Sequence, residues 1–381
     1  MPHPRILFVS TYPLTRCGIA TFTRSLIRSL GEVRHSTDGL GVARLRSRSD
    51  DTISVGAEVV VEAPAHSRSW PVEVARVAQG FDVMWVQHEF GIFGPDSGRR
   101  VLDLCELTTV PLVVTMHTVL AEPTPEEGEI VERLASRSER LVVMSQAARK
   151  RLLVTHSVDP AKVTVVPHGA HGFRRIGEPN HGPRPIIATW GLLGPGKGIE
   201  WGIEAMVRLR HIRPLPRYVI QGATHPNVLA AEGDAYRRHL WSLASDLGVA
   251  DMVTMSSAYL TNEQLGAFIA EIDIALLPYD SLTQVTSGVL VEALGAGLPV
   301  VATAFPHAIE LLSDGAGLVV PHRDPKAMAM ALEGLLTRPL ALRAAAMAAS
   351  RMAPDLRWSS VASRSDSVAN HAVAAAAASV A

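Results

Sequence analysis

The sequence has little cysteine and no excess of charge of either sign. Its two cysteines, Cys17 and Cys105, are far apart. This excludes a disulfide framework and favours a reducing compartment. With 36 basic and 37 acidic residues the formal net charge is −1. No general electrostatic attraction to nucleic acid or to an anionic membrane is therefore expected.

Long apolar runs are also missing. None approaches the roughly 18 residues that a membrane span needs, and the run in residues 1–7 is too short for a secretory signal. We therefore expect a cytoplasmic protein. Exposed arginines, including Arg99 and Arg100, leave peripheral contact with the inner membrane face open, although solvated helix faces explain them more simply.

Two further signatures are absent from the sequence. No cysteine and histidine cluster has metal-ligand spacing, so we expect no metal site. No G-x-S-x-G segment is present, which argues against a serine hydrolase. We expect no cofactor.

Short apolar runs alternate with segments of helical spacing along 381 residues that are 47% hydrophobic. This pattern predicts an α/β protein of two Rossmann-like domains, each with a parallel sheet buried on both faces. The predicted strands are 5–10, 83–87, 112–116, 141–144 and 163–166, then 186–190, 218–222, 252–255, 274–277, 299–303 and 318–320.

A polar stretch at 171–185, rich in glycine, proline, arginine and histidine, predicts the domain boundary. We expect an N-terminal domain at 1–175 and a C-terminal domain at 183–345. An alanine-rich helical tail should occupy 346–381 and fray over its last fifteen or so residues.

Ligands of facing α/β domains gather at the carboxyl ends of the strands, in the interdomain cleft. The glycine-rich segment 191–198 follows a predicted strand and precedes a helical pattern at 199–209. Its backbone amides, the helix dipole and Lys197 predict a diphosphate cradle. The spacing matches neither common phosphate-loop motif, so an ordinary flexible turn is the alternative.

A second candidate site lies at 283–299. Ser287 and Gly288 could begin a helix whose amides face a phosphate, and Glu292 follows about one turn later. Its two carboxylate oxygens suit a pair of ribose hydroxyls. The alternative is a solvated helix residue, which the apolar neighbours of Glu292 argue against.

Polar residues also end two predicted strands of the first half. His117 follows 112–116, and Gln87, His88 and Glu89 end 83–87. These positions place them at the ligand edge of the sheet. A purely structural role is the alternative for each histidine.

Together these segments resemble the retaining glycosyltransferases of family four, which have the two-domain GT-B fold. The resemblance spans nearly the whole chain. Its markers are STYP at 10–13, CGIATF at 17–22, TMHT at 115–118, VVPHG at 165–169, GLLGPGKG at 191–198, QVTSGVLVE at 284–292 and GLPVVAT at 297–303.

The resemblance implies that the N-terminal domain binds a glycan, lipid-linked or small-molecule acceptor. The C-terminal domain would bind a nucleotide diphosphate sugar. Lys197 would hold the diphosphate, Glu292 the ribose, and His117 the transferred sugar, which makes these three the predicted catalytic residues. The predicted substrate-binding residues are Gly18, Gln87, His88, Glu89, Gly191, Gln284, Thr286, Ser287, Gly288, and, at the base, Tyr259 and Leu260.

Three positions depart from the family pattern. Gln284 replaces the first glutamate of E-x7-E, Leu192 replaces an arginine of the phosphate loop, and Cys17 replaces the first of two glycines. The family needs no dedicated metal, which fits the absence of an Asp-x-Asp signature here. The alternatives are a sugar-nucleotide epimerase or glycan phosphorylase on the same scaffold, and a catalytically silent nucleotide-sugar-binding homologue.

Overall fold

The computed structural model describes residues 3–15, 17–46, 56, 58–172 and 184–380. The chain forms two compact α/β units. The first unit comprises residues 1–169 and 358–381, and the second comprises 170–357. The change of unit thus falls between Gly169 and Ala170, and residues 173–183 of the predicted boundary lie outside the described residues.

The first unit contains a parallel sheet surrounded by helices. Its described strands are β1 (Ile6–Ser10), β2 (Leu40–Arg46), β3 (Val59–Pro64), β4 (Val83–His88), β5 (Leu112–Met116), β6 (Arg140–Val143) and β7 (Val163–Val165). Its described helices are α1 (Gly18–Arg34), α2 (Trp70–Ala78), α3 (Val101–Leu107), α4 (Pro125–Arg137), α5 (Gln146–Thr155) and α14 (Trp358–Val380).

The second unit has the same plan. Its described strands are β8 (Ile186–Trp190), β9 (Arg217–Gln221), β10 (Val253–Ser256), β11 (Ile274–Leu277), β12 (Val300–Thr303) and β13 (Gly317–Val320). Its described helices are α6 (Ile199–Arg208), α7 (Pro226–Glu232), α8 (Ala235–Asp246), α9 (Asn262–Ala270), α10 (Gly288–Gly295), α11 (Pro306–Leu312), α12 (Pro325–Leu336) and α13 (Pro339–Leu356).

Both sheets are doubly wound, which confirms the predicted pair of Rossmann-like folds. The strand order is β3-β2-β1-β4-β5-β6-β7 in one sheet and β10-β9-β8-β11-β12-β13 in the other. Neighbouring strands pair in parallel throughout. The order reverses beside β1 and beside β8, so the crevices where such folds bind ligands lie between β1 and β4 and between β8 and β11.

Strands β2 and β3 escaped the sequence prediction because charged residues interrupt their apolar runs. Arg44 on β2 is completely buried, and its Nη1 donates to Glu62 Oε1 on β3 over 2.8 Å. A buried charge is tolerated when it is paired in this way. Pairing across the sheet, which the local pattern does not encode, therefore decides that this segment is a strand.

The C-terminal residues differ from the single tail expected at 346–381. The chain instead divides at Arg357, with α13 in the second unit and α14 in the first. Trp358 lies so close to Gly169 that a Cβ on the glycine would meet its ring at 2.2 Å. Small residues such as Ala362 and Ala369 are completely buried against the first unit. Alanines that offer little apolar bulk thus serve as a close-packing face.

A buried ion pair also holds α14. Arg34 of α1 donates from Nε to Asp366 Oδ1 over 2.7 Å and from Nη1 to the Pro4 carbonyl over 3.0 Å. The side chains of Arg34 and Asp366 are only 2% and 12% exposed. Removing one partner would therefore leave a charge without compensation in the interior.

We expect Asp366→Asn to lower the free energy of unfolding by ~3–5 kcal/mol, because Arg34 would stay buried and unpaired. Urea denaturation measures this cost. Glu32→Gln is the control, since the Arg28–Glu32 pair on α1 is 76% and 60% exposed and should contribute little. Equal effects of the two substitutions would contradict the structural role of the buried pair.

Candidate functional site

The loop after β8 is fixed by backbone contacts with the end of β9. The amide of Gly191 donates to the Gln221 carbonyl over 3.1 Å, and that of Leu193 donates to Ala223 over 2.9 Å. Gly222 approaches so closely that a Cβ there would lie 1.9 Å from the Gly191 carbonyl oxygen. Glycine is therefore required at 222 for the two strand ends to meet.

The same loop is fixed on its other side by the end of β11. Gly198 precedes α6 with a φ of +60°, and a Cβ there would lie 1.9 Å from the Pro278 carbonyl oxygen. The Asp280 amide donates to the Gly196 carbonyl over 2.9 Å. The glycine-rich segment 191–198 thus lies in the crevice between β8 and β11, where doubly wound folds bind ligands.

Some amides of this turn are already used and others are not. Those of Gly191, Leu193 and Lys197 donate within the protein. For the amides of Leu192 and Gly196, the described part of the chain supplies no acceptor. A ligand at this turn could therefore accept from the amides of Leu192 and Gly196, whereas the Gly191 amide is already used.

Lys197 is held by an aromatic face. Its Nζ lies 4.2 Å from the centroid of the Tyr279 ring, a cation–π contact. Tyr279 is buried and stacks on Phe305 with 5.4 Å between ring centroids. No carboxylate of the described residues forms an ion pair with Lys197. The ammonium can therefore pair with an anionic ligand.

Helix α10 follows β11 along the chain, and β11 lies next to β8 in the sheet. The Oγ of Ser287 accepts from the Leu290 amide over 3.3 Å, and the Ser287 amide donates to His307 Nδ1 over 2.9 Å. Within the described residues the amides of Gly288 and Val289 have no acceptor. They are the N–H groups that this helix start offers to an anion.

Glu292 lies in the interior of α10 and is half-buried. Its Oε2 accepts a hydrogen bond of 2.8 Å from Trp190 Nε1, at the end of β8. Burial raises the pKa of the Glu292 carboxyl to about 7, and the Trp190 hydrogen bond opposes this shift. This is not a solvated helix residue: one carboxylate oxygen is fixed, which leaves the other to accept from a hydroxyl.

The remaining predicted residues of the second unit lie in two loops. Gln284 Nε2 donates to the Thr286 carbonyl over 2.9 Å, so its amide group turns back onto its own loop. Tyr259 is 49% exposed and Leu260 is half-buried, in the segment between β10 and α9. Gln221 Nε2 donates to the Ala258 carbonyl over 2.8 Å and so ties this segment to the end of β9.

Sequence reasoning missed Trp190, Tyr279 and Arg237. Trp190 and Tyr279 could have been found, because each ends or follows a predicted strand. Arg237 lies within α8 and donates from Nε to Thr224 Oγ1 over 3.0 Å. No local pattern marks it, since only the folded chain brings α8 over the ends of β9 and β10.

In the first unit, His117 and Gln87 meet at the ends of β5 and β4. His117 Nε2 lies 2.8 Å from Gln87 Oε1, so the imidazole donates and retains Nδ1 as its acceptor. Burial, followed by the like charges of His168 and His88, lowers the pKa of His117 to about 3. The imidazole is therefore neutral near pH 7.

Glu89 and His88 point to different environments, because successive side chains of a strand alternate between faces. Thr118 Oγ1 donates to Glu89 Oε2, and burial raises the pKa of the Glu89 carboxyl. His88 is completely buried between Phe90 and Phe93, and burial lowers its pKa to about 3. The structure thus brings Gln87, His117 and Glu89 to the strand ends and packs His88 into the core.

Helix α1 is the element that follows β1, and it begins at Gly18. Cys17 is its N-cap, and Cys17 Sγ accepts from the Ala20 amide over 3.4 Å. The cysteine thus does the work of a polar cap where the family pattern has glycine. A Cβ on Gly18 would meet nothing within 4 Å, so this exposed helix start is open to a ligand.

Two family models match the chain. The model described as Glycosyltransferase Family 4 matches residues 17–171, and the model described as Glycosyl transferases group 1 matches residues 184–338. The chain therefore contains two glycosyltransferase domains.

The chain also matches curated relatives that are named glycosyltransferases. The chain is 28% identical over 274 residues to the D-inositol 3-phosphate glycosyltransferase of Segniliparus rotundus, covering 66% of this chain and 59% of the relative. It is 30% identical over 262 residues to the protein of that name from Paenarthrobacter aurescens, covering 63% and 62%. The chain spans about three fifths of the length of these curated relatives.

Solved structures share the GT-B fold at low identity. The glycosyltransferase from Rickettsia africae superposes with a TM-score of 0.76 at 13% identity, covering 97% of this chain and 98% of that one. Anabaena Alr3699/HepE, in complex with UDP and glucose, gives 0.74 at 15% identity, covering 96% and 99%. These likenesses establish the fold.

Two searches of the described residues gave negative results. No helix among them combines the length and apolarity needed to cross a bilayer. In the same residues, no group of three or more histidine, cysteine, aspartate or glutamate side chains could hold a metal ion.

We expect Gly198→Ala to destabilise the protein more than Gly196→Ala. Both positions have positive φ, so each alanine should cost ~1–2 kcal/mol. Only at 198 would the methyl group also overlap a backbone carbonyl, adding ~1–3 kcal/mol, whereas a Cβ at 196 meets open space. Urea unfolding of both variants measures the difference, and equal losses would contradict the proposed close contact with Pro278.

We expect Glu292→Gln to change how stability depends on pH. Between pH 5 and 8 the unfolded chain loses the Glu292 proton first, since the pKa in the folded state is raised to about 7. The wild type should therefore lose stability as pH rises through this window, by up to ~3 kcal/mol, and the variant should lack this loss. Urea unfolding of both at pH 5 and pH 8 tests this, and a pH-independent difference would contradict it.

Proposed function

We propose that this chain transfers a sugar from a nucleotide diphosphate donor to an acceptor hydroxyl, with retention of configuration. The observation that carries this proposal is the set of groups around the β8 and β11 crevice. One unit contains the ammonium of Lys197, which has no carboxylate partner among the described residues. It also contains unused amides in the loop after β8 and at the start of α10, and the Glu292 carboxylate, of which one oxygen is hydrogen-bonded. Such groups suit a diphosphate linked to a ribose.

In this proposal Lys197 and the unused amides of 192, 196, 288 and 289 bind the diphosphate. The leaving diphosphate gains negative charge as the sugar departs, and fixed donors stabilise that charge without reorganisation. Glu292 accepts from a ribose hydroxyl through the oxygen that Trp190 leaves available. The base contacts of Tyr259 and Leu260 stay a prediction of the resemblance.

The carboxyl edge of the first unit binds the acceptor in this proposal. Gln87 and neutral His117 offer hydrogen bonds without a net charge, which suits hydroxyl groups. Glu89, held by Thr118, provides a carboxyl group beside them. The role of His117 at the transferred sugar stays a prediction.

The reaction we propose proceeds on one face of the sugar. The acceptor oxygen attacks the anomeric carbon from the side on which the bond to the diphosphate oxygen breaks. The acceptor proton passes to that departing oxygen, so no protein carboxylate becomes covalently bound. Retention follows because attack and departure share a face.

The named relatives suggest which substrates to test first. The Anabaena structure contains UDP and glucose, so UDP-sugars are the first donors to test. The curated relatives are named for D-inositol 3-phosphate, which makes it the first acceptor. GDP- and ADP-sugars, glycans and lipid-linked acceptors complete the panel.

A catalytically silent nucleotide-sugar-binding protein is the second candidate. Gln284 carries no charge where the family pattern has glutamate, and its amide is hydrogen-bonded to the Thr286 carbonyl. Leu192 also brings no charge to the glycine-rich turn at 191–198, which we call the phosphate turn. Such a protein would bind donor and transfer nothing.

The test combines donor binding and sugar transfer in the wild type, Lys197→Met and Lys150→Met. Donor at a hundred times its dissociation constant should stabilise the wild type by ~2.7 kcal/mol. Losing Lys197 should reduce transfer roughly 100- to 1,000-fold, because a fixed charge on the leaving group is removed. Lys150 is exposed in the first unit, so its substitution controls for loss of one positive charge.

Three outcomes decide between the candidates. Transfer that depends on Lys197 and not on Lys150 supports the proposed reaction. Donor binding without transfer to any acceptor of the panel supports the silent homologue. Failure of every nucleotide sugar to stabilise the wild type contradicts both.

A further inference from the structure

Arg237 contacts oxygen atoms from two strand ends and from the turn that follows one of them. Besides its bond to Thr224 Oγ1, its Nη1 donates to the Ser256 carbonyl over 3.4 Å, and its Nη2 donates to the Gly222 carbonyl. Gly222 and Thr224 follow β9, and Ser256 ends β10. One guanidinium thus joins segments that are more than thirty residues apart along the chain.

The acceptors of Arg237 are all neutral. They are two backbone carbonyls and one hydroxyl, and the nearest acidic influence comes from Asp234 at the start of the same helix. The guanidinium is half-buried. A planar group with five N–H donors can hold three acceptors in fixed directions, which a single ammonium cannot do.

The segment held by Arg237 is the one that holds the phosphate turn. Gly191 and Leu193 donate to the carbonyls of Gln221 and Ala223, on either side of Gly222. A further bridge pairs Leu193 with Thr224, and Gly222 touches the Gly191 carbonyl. A shift of residues 221–224 would therefore move the turn directly.

The same segment also supports the loop before α9. Gln221 Nε2 donates to the Ala258 carbonyl, one residue before Tyr259. The Gly222 amide donates to the Ser256 carbonyl over 3.0 Å, and Arg237 donates to that same oxygen. We call the segment between β10 and α9, residues 257–261, the base loop. The base loop and the phosphate turn are thus both attached to residues 221–224.

We infer that Arg237 is a positioning residue for the nucleoside diphosphate, because it fixes the phosphate turn and the base loop through the end of β9. This inference rests on the proposed function for its ligand. It acts through backbone geometry and not through its charge. Losing Arg237 should therefore weaken donor binding and leave the KM for the acceptor unchanged.

The experiment compares the wild type with Arg237→Lys and Arg237→Met, and uses Arg238→Met as the matched control. Arg238 neighbours Arg237 on α8, carries the same charge and is exposed. Two quantities are measured in each protein: the dissociation constant of a UDP-sugar by calorimetry, and the exchange rates of the Gly191 and Leu193 amides without ligand. Where transfer is measurable, KM for donor and acceptor are compared as well.

Both Arg237 variants should weaken UDP-sugar binding at least about tenfold and leave the acceptor KM unchanged. Both should also speed exchange of the two amides, and Arg238→Met should change neither quantity. Full recovery of binding in Arg237→Lys would overturn the inference, since charge alone would then suffice. Unchanged exchange in both Arg237 variants would overturn it too, whatever the donor result.

The two readouts separate this inference from the proposed function. If the wild type binds no nucleotide sugar, the proposed function fails, and with it the assignment of Arg237 to a nucleoside diphosphate. Faster amide exchange in the Arg237 variants would then show only that Arg237 fixes the phosphate turn. If the wild type binds donor and the variants bind equally well, the inference alone fails.

Discussion

Close backbone contact at two glycines is the constraint on which the site of the second unit depends. Gly198 lies against the carbonyl of Pro278, and Gly222 lies against that of Gly191. These contacts fix the loop after β8 between its two neighbouring strands. Amides and a lysine can then be presented in fixed directions, which a mobile loop could not do without an entropic cost on binding.

The charged and titratable groups of the two units depend on where the fold places them. In the second unit Lys197 lies on Tyr279 and has no carboxylate partner among the described residues, while burial raises the pKa of Glu292 to about 7. In the first unit His117 is neutral for the same reason. In the proposed reaction the second unit would therefore bind the dianionic diphosphate, and the first unit would bind neutral hydroxyl groups.

The sequence predicts most of the sheet framework, because strands buried on both faces must be apolar throughout. The predicted strands 112–116, 186–190 and 274–277 agree with β5, β8 and β11 to the residue. β2 was missed because the charge of Arg44 is paired with Glu62 on another strand, and the local sequence pattern does not show that pairing. The return of α14 to the first unit was missed because alanine packing depends on the helix it meets.

The candidate site can be predicted less completely, for a related reason. Strand ends can be read from local pattern, so Lys197, Glu292, Gln87 and His117 are candidates from the sequence alone, and their roles stay predictions. Which amide is already used cannot be read, and the amide of Ser287 proves to donate to His307. Arg237 gave no signal, since its acceptors are contributed by distant segments.

A crystal structure of the protein with bound UDP would show which groups bind the diphosphate. We predict that the diphosphate lies within hydrogen-bond distance of Lys197 Nζ and of the Gly288 or Val289 amide, and that a ribose hydroxyl donates to Glu292. UDP bound away from the β8 and β11 crevice would contradict this prediction. A diphosphate in the crevice with no contact to Lys197 would contradict it equally.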